Sequence, residues 1–271
     1  MTVVAAADVD ALLSAAAARF QAPASDPVGE LRCGVDLGTA TIVLTVVDAQ
    51  GAPVYYDQIR AEVVRDGVVV DFAGATQVVR ELRGRAEQAL GTELVAAATA
   101  FPPGVGESDS RACRFVLEQA GLDCRALVDE VSAAQALLGV QDGAIADVGG
   151  GSTGVGVYQA GQLLALGDLP GGGHHLNLIL AGALGMSVTD AEECKRTDTT
   201  GVHAATLRPG IERIAANIGR LLNPRPSGPV HLVGGALMIP GAGQIISQYL
   251  EHPVVEHDHA LLMTPFGIAL T

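Results

Sequence analysis

Apolar residues along the chain fall into short runs that glycine-containing turns separate. From Leu31, "LRCGVDLGTATIVLTVVDAQGAPVYYDQI" predicts a strand, a turn, a strand, a second turn and a third strand. The stretch "IADVGGGSTGVGVYQAGQLLALG", which ends at Gly167, predicts the same order. In each copy an aspartate, Asp36 or Asp147, ends the first strand, and the copies lie about 111 residues apart. This weak internal repeat predicts two similar halves related by pseudo-symmetry.

Helical and buried-strand patterns fill much of the remaining chain. Apolar residues at helical spacing predict helices over residues 75–90, 107–121, 129–139, 208–222 and 241–250. The second of these is expected to begin at Ser108 and to stop at Gly121. Buried strands are predicted over 93–101 and 229–235. Strands that alternate with helices indicate an α/β class.

Residues 1–29 form a separate segment in the sequence pattern. "AADVDALLSAAAARF" carries a narrow apolar stripe at helical spacing, and "QAPASDPVGE" after it has the composition of a linker. Two interpretations stay open: a leading helix docked on the domain, or a detachable targeting helix. Membrane binding is disfavoured, because Asp8 and Asp10 rather than lysines lie on the polar side.

Composition narrows the classes of partner. The formal net charge of −14 disfavours nucleic acid, because an acidic protein repels phosphate backbones. No apolar window is long enough for a bilayer and no signal peptide opens the chain, so we expect a soluble cytoplasmic protein without a membrane partner. The four cysteines form no CxxC pair, which favours reduced thiols over a zinc site.

The two glycine-rich hairpins could bind phosphate without a basic side chain. Backbone N–H groups in such turns bind anions, and an aspartate at each hairpin can hold Mg²⁺ through its water shell. A Walker P-loop is absent, and the run Gly149–Gly156 opens a strand rather than a Rossmann helix. Either hairpin alone could be a plain β-turn, but two matching hairpins together favour a phosphate clamp. Lys195 is the only lysine in the chain.

Three motifs resemble those of the actin-like ATPase superfamily, which includes actin, sugar kinases and the DnaK-type chaperones. "GVDLGTA" (34–40), "IADVGGGSTGVGVY" (145–158) and "LVGGALMIPG" (232–241) resemble its phosphate-1, phosphate-2 and adenosine motifs. The resemblance implies an α/β, ribonuclease H-like fold with two similar domains around a nucleotide cleft and reduced outer subdomains. The expected domains are residues 30–144 and 145–271, after the N-terminal helix and linker of 1–29.

The resemblance also implies roles for individual residues. Asp36 and Asp147 would organise Mg²⁺ through water from opposite domains. Glu130, in "VDEVSAAQALLG", matches the position of a catalytic glutamate, so the three carboxylates form the catalytic set. A helix N-terminal charge is the alternative for Glu130.

The remaining motif residues would bind ATP or ADP. Phosphate contacts are implied for Gly38, Thr39, Ala40, Gly149, Gly150, Gly151, Ser152 and Thr153. Contacts to the adenine or ribose are implied for Glu192, Lys195, Arg196, Gly234, Gly235 and Met238. The alternative for Lys195 and Arg196 is a solvated helix face.

One departure from the DnaK-type pattern concerns catalysis. Those chaperones place a lysine from the first domain near the γ-phosphate, whereas Lys195 matches the adenosine helix. Loss of such a transition-state cation lowers the rate of the chemical step by roughly 10²–10³-fold. We therefore expect ATP binding with slow or absent hydrolysis. Arg60, Arg65 or Arg111 could substitute, and the sequence does not choose among them.

Further motifs resemble a small chaperone-like branch of the superfamily that serves ethanolamine utilization. They are "VVRDGVVVDFAGA", "FPPG", "GGHH", "DAEECKR" and "MTPFGIA". The resemblance implies a client among ethanolamine-pathway enzymes, such as the cobalamin-dependent ammonia-lyase. It also suggests association with a bacterial microcompartment shell through the N-terminal helix. An assembly scaffold and a small-molecule kinase on the same fold are the alternative functions.

Histidines offer a rival site near the C-terminus. His252, His257 and His259 lie close in sequence, and a metal site is one interpretation. The usual helical spacing or additional Cys or Asp partner is missing, so the metal site is the weaker interpretation.

Overall fold

A computed structural model of the chain describes residues 6–65 and 67–271. The chain divides into two compact units. Unit 1 comprises the chain up to Gly139 together with Leu262–Thr271, and unit 2 comprises Val140–Leu261. The last ten residues, which the sequence analysis assigned to the second half, thus pack with the first.

Unit 1 is built from one long stretch of chain and a returning C-terminal helix. Its strands are β1 (Arg32–Leu37), β2 (Thr41–Val47), β3 (Pro53–Arg60), β4 (Val64–Arg65), β5 (Val68–Val69), β6 (Ala96–Phe101) and β7 (Asp123–Asp129). Its helices are α1 (Ala6–Ala17), α2 (Phe72–Leu90), α3 (Glu107–Gln119) and α4 (Glu130–Leu138), and the chain returns to it with α9 (Met263–Leu270).

Unit 2 is continuous in sequence. Its strands are β8 (Gly143–Val148), β9 (Ser152–Gln159), β10 (Gln162–Pro170), β11 (Val230–Val233) and β12 (Val254–Val255). Its helices are α5 (Gly173–Leu184), α6 (Val188–Thr197), α7 (Ala204–Leu221) and α8 (Ala242–Leu250), and a 3₁₀ turn over Ala260–Leu262 leads to α9.

Each unit has a five-stranded sheet, and the two sheets have the same topology. The strand order is β3-β2-β1-β6-β7 in unit 1 and β10-β9-β8-β11-β12 in unit 2. In each sheet the first three strands in sequence pair antiparallel. The fourth strand pairs parallel with the first, and the fifth pairs parallel with the fourth. Asp36 lies opposite Val43, and Asp147 lies opposite Gly154, so the repeat aligns in register. The repeated hairpins and the α/β class that the pattern predicts are confirmed.

Helix α9 belongs to unit 1 because β1 leaves space for it. A Cβ atom at Gly34 would lie 2.6 Å from the backbone nitrogen of Ala269, so only glycine permits this approach. Phe266 and Ile268 are fully buried there, and the hydroxyl of Thr45 donates to the carbonyl of Pro265 over 2.8 Å.

Side-chain caps mark the beginnings of two helices in unit 1. The Asp71 carboxylate accepts from the amide of Gly74 at α2, and that of Asp129 accepts from the amide of Ser132 at α4. Helix α3 begins one residue before the predicted Ser108, after an extended Gly106 that provides no side-chain cap. The short polar side chain of Ser108 therefore does not set this boundary.

Helix α1 lies on unit 1 and buries its apolar stripe. Val9, Leu13 and Ala16 are at most 1 % exposed. The ring of Phe20, at 43 % exposure, stacks at 5.2 Å from that of Tyr56 in β3. The docked interpretation of this helix agrees with the contacts. None of the described helices combines the length and apolar character needed to cross a bilayer.

Candidate functional site

The glycine turn between β8 and β9 is held by the segment that follows β10. The carbonyl groups of Gly149, Gly150 and Gly151 accept hydrogen bonds from the amides of Gly173, His174 and Gly171, at 2.8–2.9 Å. The Thr153 hydroxyl donates to the carbonyl of Gly171 over 2.6 Å. All three glycine carbonyls therefore face the beginning of α5.

This arrangement leaves amide groups of the turn for another acceptor. In the part of the chain that the structure describes, the amides of Gly150 and Gly151 donate to no backbone carbonyl. The first amides of the adjacent helix α5 carry the positive end of its dipole. A Cβ atom at Gly172 would lie 3.0 Å from the Gly150 carbonyl oxygen, so the close contact needs glycine. The amides of Gly173 and His174 at the helix start already donate to turn carbonyls, so the donors left for an anion are the turn amides of Gly150 and Gly151.

The loop after β11 lies directly on the end of β8. Gly234 has a φ of +84°, and a Cβ there would lie 2.6 Å from the Asp147 Oδ1 atom. The amide of Ala236 donates to the carbonyl of Val148 over 3.2 Å. The predicted adenosine loop and the Asp147 carboxylate, which is only 6 % exposed, therefore meet within unit 2.

Lys195 joins the same place from helix α6. Its side chain is only 7 % exposed, and its Nζ atom donates to the carbonyl of Gly173 over 3.3 Å. A Cβ at Gly173 would lie 3.2 Å from that Nζ and 3.3 Å from the Cβ of Ala236. Burial lowers the pKa of Lys195 to about 8; the Arg196 charge also lowers it, and the Glu192 charge opposes the shift.

The other predicted base-binding residues are more open. Glu192 is half-buried, whereas Arg196, Gly235 and Met238 are exposed. The solvated-face interpretation therefore fits the exposure of Arg196 and does not fit that of Lys195.

In unit 1, the predicted residues gather at the carboxyl edge of the parallel strands. Asp36 lies near the end of β1, and the turn Gly38–Ala40 follows. Glu130 is the first residue of α4, directly after β7. Burial raises the pKa of the Cys113 thiol to about 12, and the charges of Glu130 and Asp36 raise it further. The position of Glu130 also suits a favourable charge at a helix N-terminus.

Strand pairing places Arg60 beside the first turn. Arg60 at the end of β3 lies opposite Thr41, and the amide of Ala61 donates to the carbonyl of Ala40 over 3.4 Å. Arg65 lies in β4 and Arg111 in α3, and both side chains are exposed. Only the hairpin register reveals the proximity of Arg60, because the sequence does not give the pairing of β2 with β3.

The C-terminal histidines separate in the structure. The Nε2 atom of His257 lies 3.0 Å from Nδ1 of His231, a residue that the sequence analysis did not select, and the rings stack at 5.3 Å. Burial, and then the charge of His257, lower the pKa of His231 to about 4. His252 instead contacts the Gly228 carbonyl at 2.8 Å. Within residues 6–65 and 67–271 no group of three or more His, Cys, Asp or Glu side chains is placed to hold a metal ion.

Sequence comparison finds relatives along nearly the whole chain. The chain is 38% identical over 259 residues to the ethanolamine utilization protein EutJ of Salmonella typhimurium, covering 95% of this chain and 91% of that protein. It is 39% identical over 83 residues to the chaperone protein HscA homolog of Azotobacter vinelandii, covering 29% of this chain and 13% of the chaperone. No protein-family model matches the chain.

Solved structures with the same fold include one close in sequence. EutJ from Carboxydothermus hydrogenoformans superposes with a TM-score of 0.92 at 39% identity, covering 98% of both chains. A PilM–PilN type IV pilus biogenesis complex gives 0.73 at 16% identity, covering 90% of this chain and 98% of that chain. MreB5 of Spiroplasma citri superposes with a TM-score of 0.72 at 17% sequence identity. The match covers 89% of this chain and 95% of that chain. The predicted actin-like ATPase fold is confirmed.

Proposed function

The chain belongs to the EutJ family of ethanolamine-utilization proteins, and from this membership we propose that it is an ATP-binding, chaperone-like protein. It assists or reactivates a client enzyme of the ethanolamine pathway, and it hydrolyses ATP slowly or not at all. The relationship to an HscA homolog supports the chaperone-like part of the proposal.

The observation that carries the proposal is the convergence of four separate segments in unit 2. The turn 149–153, the start of α5, Lys195 and the loop 234–236 meet around the end of β8. The turn amides and Ser152 bind phosphate, while Lys195, with Glu192 and Arg196, binds the ribose and base. Gly234, Gly235 and Met238 line the adenine side. MreB5, which shares the fold, was crystallised with AMPPNP.

The proposal also gives phosphate and metal roles to residues of unit 1. Gly38, Thr39 and Ala40 bind the β-phosphate through their amides. We propose Asp36 and Asp147 as the residues that act on hydrated Mg²⁺, because carboxylates are the hard oxygen donors that this ion prefers. The ion would offset phosphate charge in this acidic chain. Mg²⁺ usually keeps several of its waters in proteins, so the two carboxylates would act through that water shell.

Slow hydrolysis follows from the absent first-domain lysine. Arg60 pairs with Thr41, which follows the turn Gly38–Ala40, and a guanidinium is too broad to reproduce a compact ammonium charge. We assign Arg60 to phosphate binding and Glu130 to the orientation of water.

The client belongs to the ethanolamine-catabolic enzymes, with the cobalamin-dependent ammonia-lyase as the first candidate. Association with a microcompartment shell through α1 needs that helix to leave unit 1, since its apolar stripe is buried there. A reporter fused to residues 1–22 tests this route. Diffuse signal in cells that make compartments would count against it.

Thermal denaturation with and without Mg-ATP tests the nucleotide proposal. A ligand at 100 times its Kd should stabilise the chain by about 2.7 kcal/mol. An amine-acylating reagent supplies a second readout, because Lys195 is the only lysine and the α-amino group is an internal reference. We expect Mg-ATP to slow acylation of Lys195 and to leave the α-amino rate unchanged. No stabilisation by ATP or ADP, together with unchanged acylation, would refute the proposal and favour a scaffold role.

A further inference from the structure

The two sheets end in edge strands that occupy equivalent positions. In unit 1 the edge strand β3 is covered by the chain itself. The amide of Gln21 donates to the Tyr56 carbonyl over 2.9 Å, and the amide of Tyr56 donates to the Arg19 carbonyl over 3.1 Å. The amide of Ala24 reaches the carbonyl of Val54 over 2.9 Å. The segment after α1 therefore acts as an added partner for this edge.

The equivalent edge in unit 2, β10, has no such cover. Across the described ranges, 6–65 and 67–271, β9 is the sole strand that pairs with β10. Leu163, Leu164 and Leu166 are 41%, 49% and 40% exposed. A bulge at Leu164 leaves the following residues to Pro170 in regular register with β9. An exposed apolar edge strand of this length is an association site unless something covers it.

The residues of β3 that bind the segment 19–24 differ from those at the equivalent positions of β10. In unit 1, Phe20 packs on Tyr56, and the side-chain amide of Gln21 donates to the buried Asp57 carboxylate over 2.9 Å. Alignment of the two hairpins through Asp36 and Asp147 matches Tyr56 with Leu166 and Asp57 with Gly167. The β10 edge therefore selects an apolar, uncharged strand rather than a segment like residues 19–24.

We propose that β10 pairs antiparallel with β10 of a second copy of this chain, around a two-fold axis near Leu166. The strand itself has the apolar, uncharged character that its edge selects, and a two-fold pairing is self-complementary. No charged residue occurs from Val148 to Gly167, although the chain carries a net charge of −14, so the paired segments themselves add little charge repulsion. The axis sets the two Asp168 residues about 13 Å apart along the strands. This interface is independent of the nucleotide proposal.

Sedimentation equilibrium of the full chain over a concentration series tests the pairing. We expect a monomer–dimer equilibrium with a dissociation constant between about 1 µM and about 1 mM, because one pair of edge strands is a small interface. Leu166→Lys should weaken the dimer at least about tenfold, since two ammonium groups would meet at the axis. The matched control is Leu184→Lys at the end of α5, where the leucine is 45% exposed, and it should leave the equilibrium unchanged.

Hydrogen exchange of the unaltered chain tests the location without any substitution. Amides of β10 should gain protection as the concentration rises through the dissociation constant, while those of β3 should not change. A chain that stays monomeric up to about 1 mM overturns the proposal. So does a dimer in which β10 gains no protection, or one that Leu166→Lys and Leu184→Lys affect equally.

Discussion

The two units share a strand order but differ in the segment that follows the third strand. In both, three residues join the first two strands, Gly38–Ala40 in unit 1 and Gly149–Gly151 in unit 2. In both, the amide after the third strand donates to the last carbonyl of that turn, from Ala61 to Ala40 and from Gly171 to Gly151. Beyond this point the chain enters β4 in unit 1 and the start of α5 in unit 2.

The difference shows how one hairpin can serve two purposes. In unit 2 the turn gains three hydrogen bonds from 171–174 and the neighbours Lys195 and Gly234, so specific contacts concentrate there. In unit 1 Asp36 precedes the equivalent turn, Arg60 lies opposite Thr41 at its end, and Glu130 begins α4 after the parallel strand β7. The same hairpin is thus held by backbone contacts with a following helix in one unit, and is followed by a short two-stranded sheet in the other.

The largest effect is expected from Gly234→Ala, which removes the close approach of the loop to β8. The added Cβ meets Asp147 Oδ1 at a positive φ, so we expect a loss of about 2–5 kcal/mol in the free energy of unfolding. Urea denaturation measures it. Gly91→Ala is the matched control, because Gly91 has a φ of +67° with nothing within 4 Å. It should cost only about 1–2 kcal/mol, and equal losses would show that the approach to Asp147 is unimportant.

The second prediction concerns the two equivalent aspartates. Asp36→Asn and Asp147→Asn should each remove most of the stabilisation of about 2.7 kcal/mol that saturating Mg-ATP confers. The proposed function gives both carboxylates the same role towards Mg²⁺, so the losses should be similar. Differential scanning calorimetry with and without Mg-ATP measures them, with the exposed Asp258→Asn as control. Loss in Asp147→Asn alone would restrict the nucleotide to unit 2.

The third prediction uses the buried lysine, which has no counterpart in unit 1. The pKa of Lys195 is lowered from 10.5 to about 8, so between those values the unfolded chain binds more protons than the folded one. Stability should therefore rise as the pH goes from about 8 to 10.5, by on the order of 1–3 kcal/mol. Below pH 8 Lys195 is protonated in both states, so the cost of burying its charged ammonium group lowers the stability by its full amount.

Lys195→Met should remove this rise and lower the affinity for Mg-ATP about tenfold, or 1.4 kcal/mol. Urea titrations at several pH values and nucleotide titrations measure the two effects. Arg196→Met, at an exposed neighbour, should keep the pH-dependent rise. If Lys195→Met also keeps the rise in stability with pH, a group other than Lys195 causes that rise.

The smallest effect is expected from Arg60→Ala in unit 1. Loss of an exposed cation beside Gly38–Ala40 should weaken Mg-ATP by about 0.5–1 kcal/mol, or roughly two- to fivefold. Isothermal titration at low and high salt measures it, and the loss should shrink as salt screens the charge. Arg65→Ala, on the short strand β4, should bind as the unaltered chain does. Equal losses in both variants would argue for general charge rather than position.

Local patterns predicted the hairpins because their causes are local. Alternating apolar residues, glycine turns and an aspartate at the strand end lie within about thirty residues of each other. The proximity of Lys195 to Gly173, by contrast, joins residues from two helices, and that of Arg60 to Ala40 depends on the pairing of two strands. The pairing of His231 with His257 likewise crosses two segments, so a search for clustered histidines in sequence misses it.

The sequence by itself determined the two repeated hairpins, the α/β class and the motif residues, because each depends on short-range periodicity and on the conformational freedom of glycine. Only the tertiary structure decided that α9 returns to unit 1, that α1 is docked, and that β3 is covered while β10 is not. Those outcomes depend on contacts such as Gly34 with Ala269, and Arg19 with Tyr56, which lie far apart along the chain. Burial of such surfaces is favourable only after the whole sheet has formed, and no local pattern contains that information.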